Sequence, residues 1–243
     1  MTKVYFFKDG FFGYSNEQDF FMGSIWHILP IILMIIAITL IYKYRKQIRN
    51  YKHENRVRYI LAFVMLIVEM SFFWRLLYVG TEGAYDTLLT YLPIQMCQWG
   101  LIISVFTIIS KNKKLFSISY FITLLFASVA LLYPLVILKT GPRYYRYYQF
   151  WLEHILPIIS VFYLIFVHNM KPDYKGIYRT FLVTIPLDLV AMIANSKIEG
   201  ARYLYLTLNV PILPESQIIR VIILSILAIG IYHLMYLPFY KEK

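Results

Sequence analysis

Seven apolar stretches, separated by short segments rich in charged and aromatic residues, dominate this sequence. A helix needs about 20 mostly apolar residues to cross the ~30 Å hydrocarbon core of a bilayer. The stretches therefore predict an all-α polytopic membrane protein, with seven transmembrane helices in a single domain that covers residues 1–243. The predicted helices span residues 25–42, 59–79, 87–109, 115–138, 150–168, 177–195 and 218–236.

The composition favours a membrane protein over a soluble globular protein, a nucleic-acid-binding protein or a disordered tail. Hydrophobic residues make up 60% of the chain and charged residues 15%, against about 45–50% and about 25% in soluble domains. The net charge of +11 would point to a nucleic acid on a soluble chain, but in a membrane protein Lys and Arg set the orientation. We therefore expect membrane phospholipids as partners and no nucleic acid, while protein partners stay unknown.

The positive charges are unevenly divided between the two ends of the predicted bundle. The end formed by the odd-numbered loops and the C-terminus carries fifteen Lys and Arg residues, and the opposite end carries seven. Because the richer side faces the cytoplasm, we expect the N-terminus outside and the C-terminus in the cytoplasm. The first apolar stretch runs into Lys43, Arg45 and Lys46 without a small-residue cleavage site, so we interpret it as a retained helix.

Polar side chains inside the apolar stretches are candidate functional residues, because an ionisable group at membrane depth costs several kcal/mol. Most of them fall in the half predicted to face outward, and His233 lies alone in the inner half. Pro93 and Pro157 lie about one turn from Cys97 and His154, so a kink beside each residue is expected to open a polar cavity towards the outer leaflet. The polar residues are His27, Glu69, Arg75, Cys97, Glu153, His154, Asp188, Asn195, Arg220 and His233.

The lone cysteine and one histidine are the candidate catalytic residues. Cys97 on the third predicted helix and His154 on the fifth lie at similar depths. A histidine within reach of a thiol can serve as its general base, and the resulting thiolate can attack a lipid ester to form a thioester. A lone cysteine in a membrane helix is more often a small packing residue, so the residues alone leave both interpretations open.

Arginines and amides near the same depth are candidates for substrate binding. Amide or guanidinium donors can stabilise an oxyanion, and guanidinium groups match phosphate bidentately, although an arginine near a helix end can also snorkel to the headgroups. No nucleotide motif is present and no two of the five histidines have the i, i+4 spacing of a helix-borne site, so we expect no cofactor and no metal. The predicted substrate-binding residues are Arg75, Gln95, Gln98, Arg143, Arg146, Asn195 and Arg220.

Short signatures occur in a familiar order between about residue 27 and residue 211. They are Leu92-Pro93-Ile94-Gln95-Met96-Cys97, Tyr133-Pro134, Phe150-Trp151-Leu152-Glu153-His154, Lys171-Pro172, and Asn195 followed by Gly200-Ala201-Arg202-Tyr203-Leu204-Tyr205-Leu206. With these, the chain resembles the bacterial YwaF-like integral membrane family, which is similar to the eukaryotic transmembrane acyltransferase of polyunsaturated ether phospholipid synthesis. The resemblance implies acyl transfer between phospholipids in a bacterial plasma membrane, with Cys97 and His154 as the acyl-transfer pair.

Two other classes of function stay open. A carrier or receptor for a lipid or small polar ligand would use the same polar residues without chemistry, and a structural partner of an envelope assembly would need none of them. Carriers are expected to show charged groups along the full depth or inverted repeats, and structural partners a face of small residues. Neither pattern is prominent, so acyl transfer through a Cys97 thioester, with His154 as base, is the favoured prediction.

Overall fold

A computed structural model describes residues 10–15, 17–79, 88–207 and 213–240. Within these residues the chain forms seven α-helices, three short 3-10 helices and no strand, which confirms the all-α prediction. Six of the seven helices are long and apolar enough to span a membrane, and the third, with 15 residues, is shorter. The helices are α1 (Ile25–Arg49), α2 (Glu54–Val79), α3 (Met96–Ser110), α4 (Lys113–Leu132), α5 (Tyr145–His168), α6 (Lys175–Lys197) and α7 (Gln217–Tyr240).

Prolines shorten two of the predicted helices. The predicted third helix, 87–109, is a 3-10 turn at Leu88–Tyr91 followed by α3, which begins only after Pro93. The predicted fourth helix, 115–138, ends at Leu132 just before Pro134, because the residue before a proline is disfavoured in the α conformation. The expected kink beside Cys97 is therefore wrong: Pro93 precedes the helix, and Cys97 lies in its first turn.

Several other helices are longer than their apolar stretches. The predicted loop 43–58 is mostly helical, since α1 continues to Arg49 and α2 already begins at Glu54. Likewise, α5 begins at Tyr145 rather than at residue 150. Hydropathy marks the part of a helix inside the hydrocarbon, whereas the helix itself continues through the headgroup region where polar and aromatic residues are favourable.

The bundle is built around α5, which contacts α1, α2, α3 and α4, while α4 also contacts α6 and α7. Small residues bring the backbones of these helices close together, as in other membrane bundles. A Cβ at Gly100 on α3 would lie 3.2 Å from Thr123 Oγ1 on α4, and one at Gly176 on α6 would overlap with Ser117 on α4. Beside Gly100, the hydroxyls of Ser104 and Thr123 are 3.0 Å apart and link α3 to α4.

Buried polar contacts join the helix ends at the end of the bundle where α1 stops and α2 begins. The guanidinium group of Arg58 donates to the main-chain carbonyls of Ile108 and Ile109 at the end of α3. Glu54 accepts hydrogen bonds from Arg58 at 2.9 Å and from His168 at 2.8 Å. These contacts join the start of α2 to the ends of α3 and α5, so the basic loops that follow α1, α3 and α5 lie at one end of the bundle. The side of the membrane that this end faces stays a prediction.

Candidate functional site

Cys97 and His154 come together where the first turn of α3 packs against α5. Cys97 Sγ, a carboxylate oxygen of Glu153 and a ring nitrogen of His154 all lie within 4.8 Å of one another. Cys97 is half-buried, and Glu153 and His154 are buried. The structure therefore places the two candidate catalytic residues side by side, and it adds a carboxylate that was not in the predicted site.

The imidazole of His154 is held in one tautomer by the main chain. Its Nδ1 lies 2.7 Å from the carbonyl oxygen of Phe150, one helical turn earlier. Because a carbonyl only accepts, Nδ1 carries the proton, and in the neutral ring Nε2 keeps the lone pair. The Phe150 ring packs on the imidazole with centroids 4.4 Å apart. Since Nδ1 carries the proton, Nε2 is the ring nitrogen that can accept one from a neighbouring group.

The carboxylate of Glu153 is fixed by two side chains from its own helix. Its Oε2 accepts from Gln149 Nε2 at 2.9 Å and from Arg146 Nη1 at 3.2 Å. Arg146 also bonds to Gln149 and lies over the Phe72 ring, 4.4 Å from its centroid. The spacing of residues 146, 149 and 153 puts them on one helix face, a signal in the sequence from which Gln149 and Glu153 could have been added to the site.

A second buried carboxylate lies next to this network. Glu69 Oε1 accepts from Gln98 Nε2 at 2.9 Å, while Gln98 Oε1 accepts from the main-chain nitrogen of Gln95. Among the described residues Glu69 Oε2 is buried and has no hydrogen-bond partner. Gln149 Nε2, which donates to Glu153, also lies 3.2 Å from the carbonyl oxygen of Val68, the residue before Glu69. Two carboxyl groups and the Arg146 guanidinium therefore share one buried region beside Cys97.

Gln95 before α3 and Asn195 on α6, two of the predicted substrate ligands, bind the main chain of Leu204 and Tyr203 in the segment that follows α6. Gln95 Oε1 accepts from the main-chain nitrogen of Leu204 at 3.2 Å. Asn195 pairs with the backbone of Tyr203 through bonds of 2.8 and 3.1 Å. The Tyr203 hydroxyl donates in turn to the carbonyl of Leu89 at 2.6 Å. These contacts give both amides a positioning role, and direct binding of substrate by them stays a prediction.

Arg75 and Arg220, predicted to bind phosphate, are buried and bonded to main-chain carbonyls. Arg75 donates through Nε to the Phe12 carbonyl at 2.8 Å and through Nη2 to the Gly13 carbonyl at 3.0 Å. Arg220 Nε donates to the carbonyl of Pro214. Arg75 thus holds the segment before α1 against the end of α2. Both arginines bond main-chain carbonyls, and headgroup binding by them stays a prediction.

Arg143 and Arg146, predicted as a pair, point into different environments. The Arg143 side chain is 76% exposed and forms a salt bridge of 3.1 Å with Asp19. Arg146 instead turns inward to Glu153 with only 11% of its side chain exposed. Of the two, only Arg143 is exposed enough to reach a lipid headgroup. Arg146 belongs to the buried hydrogen-bond network around the candidate site.

The model of one known protein family, the TMEM164 family, matches residues 20–237. The chain belongs to the TMEM164 family. This is a family of transmembrane proteins, which together with the six long apolar helices makes the chain a multi-pass membrane protein. No curated protein and no solved structure matches the chain. The finer YwaF-like assignment and a bacterial plasma membrane stay predictions.

In this member of the TMEM164 family, an apolar groove of about 770 Å³ runs between α1, α2 and α5. It lies beyond the candidate site on α5, since its lining residues Leu156, Ile159 and Tyr163 follow His154 along that helix. Ile41 of α1 and Val64 of α2 form other parts of the wall. Its volume falls within the ~300–1,000 Å³ typical of ligand sites, and its surface suits a hydrocarbon chain rather than a polar ligand.

Proposed function

We propose that this protein is a membrane-embedded acyltransferase that moves fatty acyl groups between phospholipids through a thioester on Cys97. The observation that carries the proposal is the approach of Cys97 Sγ and a His154 ring nitrogen to within 4.8 Å, with His154 Nδ1 bonded to the Phe150 carbonyl. A nucleophile, a base and a third group that orients the base form the recurring arrangement of nucleophilic catalysis.

In the proposed reaction, His154 Nε2 takes the proton of the Cys97 thiol and the sulfur attacks the ester carbonyl of a donor phospholipid. The tetrahedral intermediate collapses to a thioester on Cys97. The oxygen of the departing lysophospholipid takes the proton back from His154. The hydroxyl of an acceptor lysophospholipid then gives its proton to Nε2 and attacks the thioester. The departing Cys97 sulfur takes that proton from Nε2, which restores the thiol and the neutral imidazole. Each bond broken is matched by one formed, and the cycle uses no oxidant, reductant or cofactor.

Transfer of labelled acyl chains between phospholipids in reconstituted vesicles tests the proposal. We expect Cys97→Ser to abolish transfer, because a serine hydroxyl is far harder to deprotonate than a thiol, and His154→Ala to lower the rate about 10²–10⁴-fold, the range for loss of a general base. His233→Ala is the matched control, since His233 lies on α7 next to Tyr174, away from Cys97. Mass spectrometry of the lipids, and of a thioester on Cys97, gives the readout.

Full transfer activity in Cys97→Ser would exclude the thioester mechanism. A carrier for lipids is the second candidate, and the apolar groove between α1, α2 and α5 is the observation that favours it. A carrier moves intact labelled lipid between vesicles or leaflets without exchanging acyl chains. Intact transfer that survives both Cys97→Ser and His154→Ala, with no acyl exchange in the wild type, would therefore replace the acyltransferase by the carrier.

A further inference from the structure

We infer that Cys97, Glu153 and His154 form a binding site for a soft divalent cation of the Zn²⁺ class. Thiolate sulfur, imidazole nitrogen and carboxylate oxygen are the three side-chain ligand types of zinc in proteins. Here one atom of each type lies within 4.8 Å of the other two, and no other such group of His, Cys, Asp and Glu occurs among the described residues. The spacing of the histidines predicts no metal site, but this cluster combines three residue types from two helices.

The hydrogen bonds around the three residues leave one ligand atom free on each. A metal-binding histidine commonly donates its second ring N–H to a carbonyl, and a metal-binding carboxylate is itself hydrogen-bonded. His154 Nδ1 meets the Phe150 carbonyl at 2.7 Å, and both hydrogen bonds from Gln149 and Arg146 reach Oε2 of Glu153. His154 Nε2 and Glu153 Oε1 are thus the atoms that these contacts leave for a cation.

The charge of the buried region also favours a cation. Glu69 and Glu153 share this region through Gln149, which reaches Glu153 and the carbonyl of Val68, and the described part of the chain leaves Glu69 Oε2 buried without a hydrogen-bond partner. Arg146 is the cation bonded to Glu153. A Zn²⁺ ion bound by one thiolate and one carboxylate forms a neutral unit, which a low-dielectric interior tolerates better than an isolated charge. Binding displaces the thiol proton to solvent.

The geometry suits three protein ligands with one open position. Zinc binds sulfur at about 2.3 Å and nitrogen or oxygen at about 2.0–2.2 Å, which puts tetrahedral ligand atoms roughly 3.5 Å apart. Side-chain rotations that close the cluster by on the order of 1 Å are sufficient for this. The fourth position is left for water or substrate. The metal site does not depend on the proposed acyl transfer, but a bound ion would hold the Cys97 sulfur and so inhibit that reaction.

Titration of the purified, metal-free protein with Co²⁺, a spectroscopic substitute for Zn²⁺, tests the site. We expect one Co²⁺ per chain with a thiolate-to-cobalt charge-transfer band that Zn²⁺ removes by competition. Cys97→Ala should lose the band, and the nearly isosteric Glu153→Gln should weaken Co²⁺ binding at least ~10-fold, on the scale seen for perturbed metal sites. His154→Ala should weaken it similarly, whereas His233→Ala should bind as the wild type does.

Absence of the band in the folded wild type, or wild-type affinity in both Glu153→Gln and His154→Ala, would overturn the metal site. Elution as a single species in size-exclusion chromatography establishes that each variant is folded. The two proposals fail separately: acyl transfer without Co²⁺ binding refutes the metal site alone, and Co²⁺ binding without acyl transfer refutes the acyltransferase alone. If both hold, micromolar Zn²⁺ should inhibit acyl transfer, and EDTA should restore it.

Discussion

Replacement of Arg146 by methionine removes the charge that faces Glu153 and keeps most of the side-chain volume. The Arg146 and Glu153 side chains are 11% and 7% exposed, and their charged atoms are 3.2 Å apart. Breaking a buried pair costs about 3–5 kcal/mol, because the remaining charge stays desolvated. With about 2–4 °C per kcal/mol for a chain of this length, we expect Arg146→Met to lower the Tm by about 6–20 °C. Gln149 still donates to Glu153, which favours the lower part of this range.

Arg143→Met is the matched control for this prediction. The Arg143 side chain is 76% exposed in its salt bridge with Asp19, and exposed pairs contribute about 0–1 kcal/mol. Thermal unfolding in detergent, followed by size-exclusion chromatography of heated samples, measures both changes. The double variant Arg146→Met/Glu153→Gln should regain part of the loss, since the unpaired charge of Glu153 is removed. Equal losses in the two arginine variants, or a double variant less stable than Arg146→Met, would refute the argument.

Two further predictions concern helix packing and membrane orientation. Gly176→Ala should lower the stability by about 1–3 kcal/mol, the cost of overpacking, because the added Cβ would overlap with Ser117; Gly230→Ala, whose Cβ meets nothing within 4 Å, is the control in the same unfolding assay. A cysteine at Lys46 should react with an impermeant maleimide only after cells are opened, and one at Arg143 in intact cells, both in a background without the native cysteine. The reverse labelling would invert the predicted topology.

The helices were predictable from the sequence because burial in lipid depends on composition over a window of residues. Each of the seven helices overlaps with one of the predicted apolar stretches. The predicted helix ends were wrong where something other than hydropathy decides where a helix begins or ends. Pro93 precedes the start of α3 and Pro134 follows the end of α4, so both helices are shorter than hydropathy predicts. Tyr145 and Arg49 lie in helices that hydropathy would stop, because a helix in the headgroup region tolerates polar side chains.

The candidate site was only partly predictable. Cys97 and His154 were identified from residue chemistry, depth and resemblance, and the packing of α3 against α5 then placed them within 4.8 Å of one another. The role of Arg75 was not visible in the sequence, since its partners, the carbonyls of Phe12 and Gly13, lie more than sixty positions away. A guanidinium group can donate hydrogen bonds to carbonyl oxygens as well as to phosphates, so the residue type alone does not distinguish the two roles.

By itself, the sequence determined the environment and the elements of this protein: 60% hydrophobic residues in seven stretches require a lipid-embedded helical chain. The spacing of Arg146, Gln149 and Glu153 also places them on one helix face, although Arg146 was predicted to bind substrate and the bonds among the three were seen only in the structure. Only the tertiary structure decided that this face meets Glu69 on α2 and Cys97 on α3. Helix periodicity is a property of neighbouring residues, whereas the pairing of helices depends on how small residues such as Gly100 and Gly176 let their backbones approach.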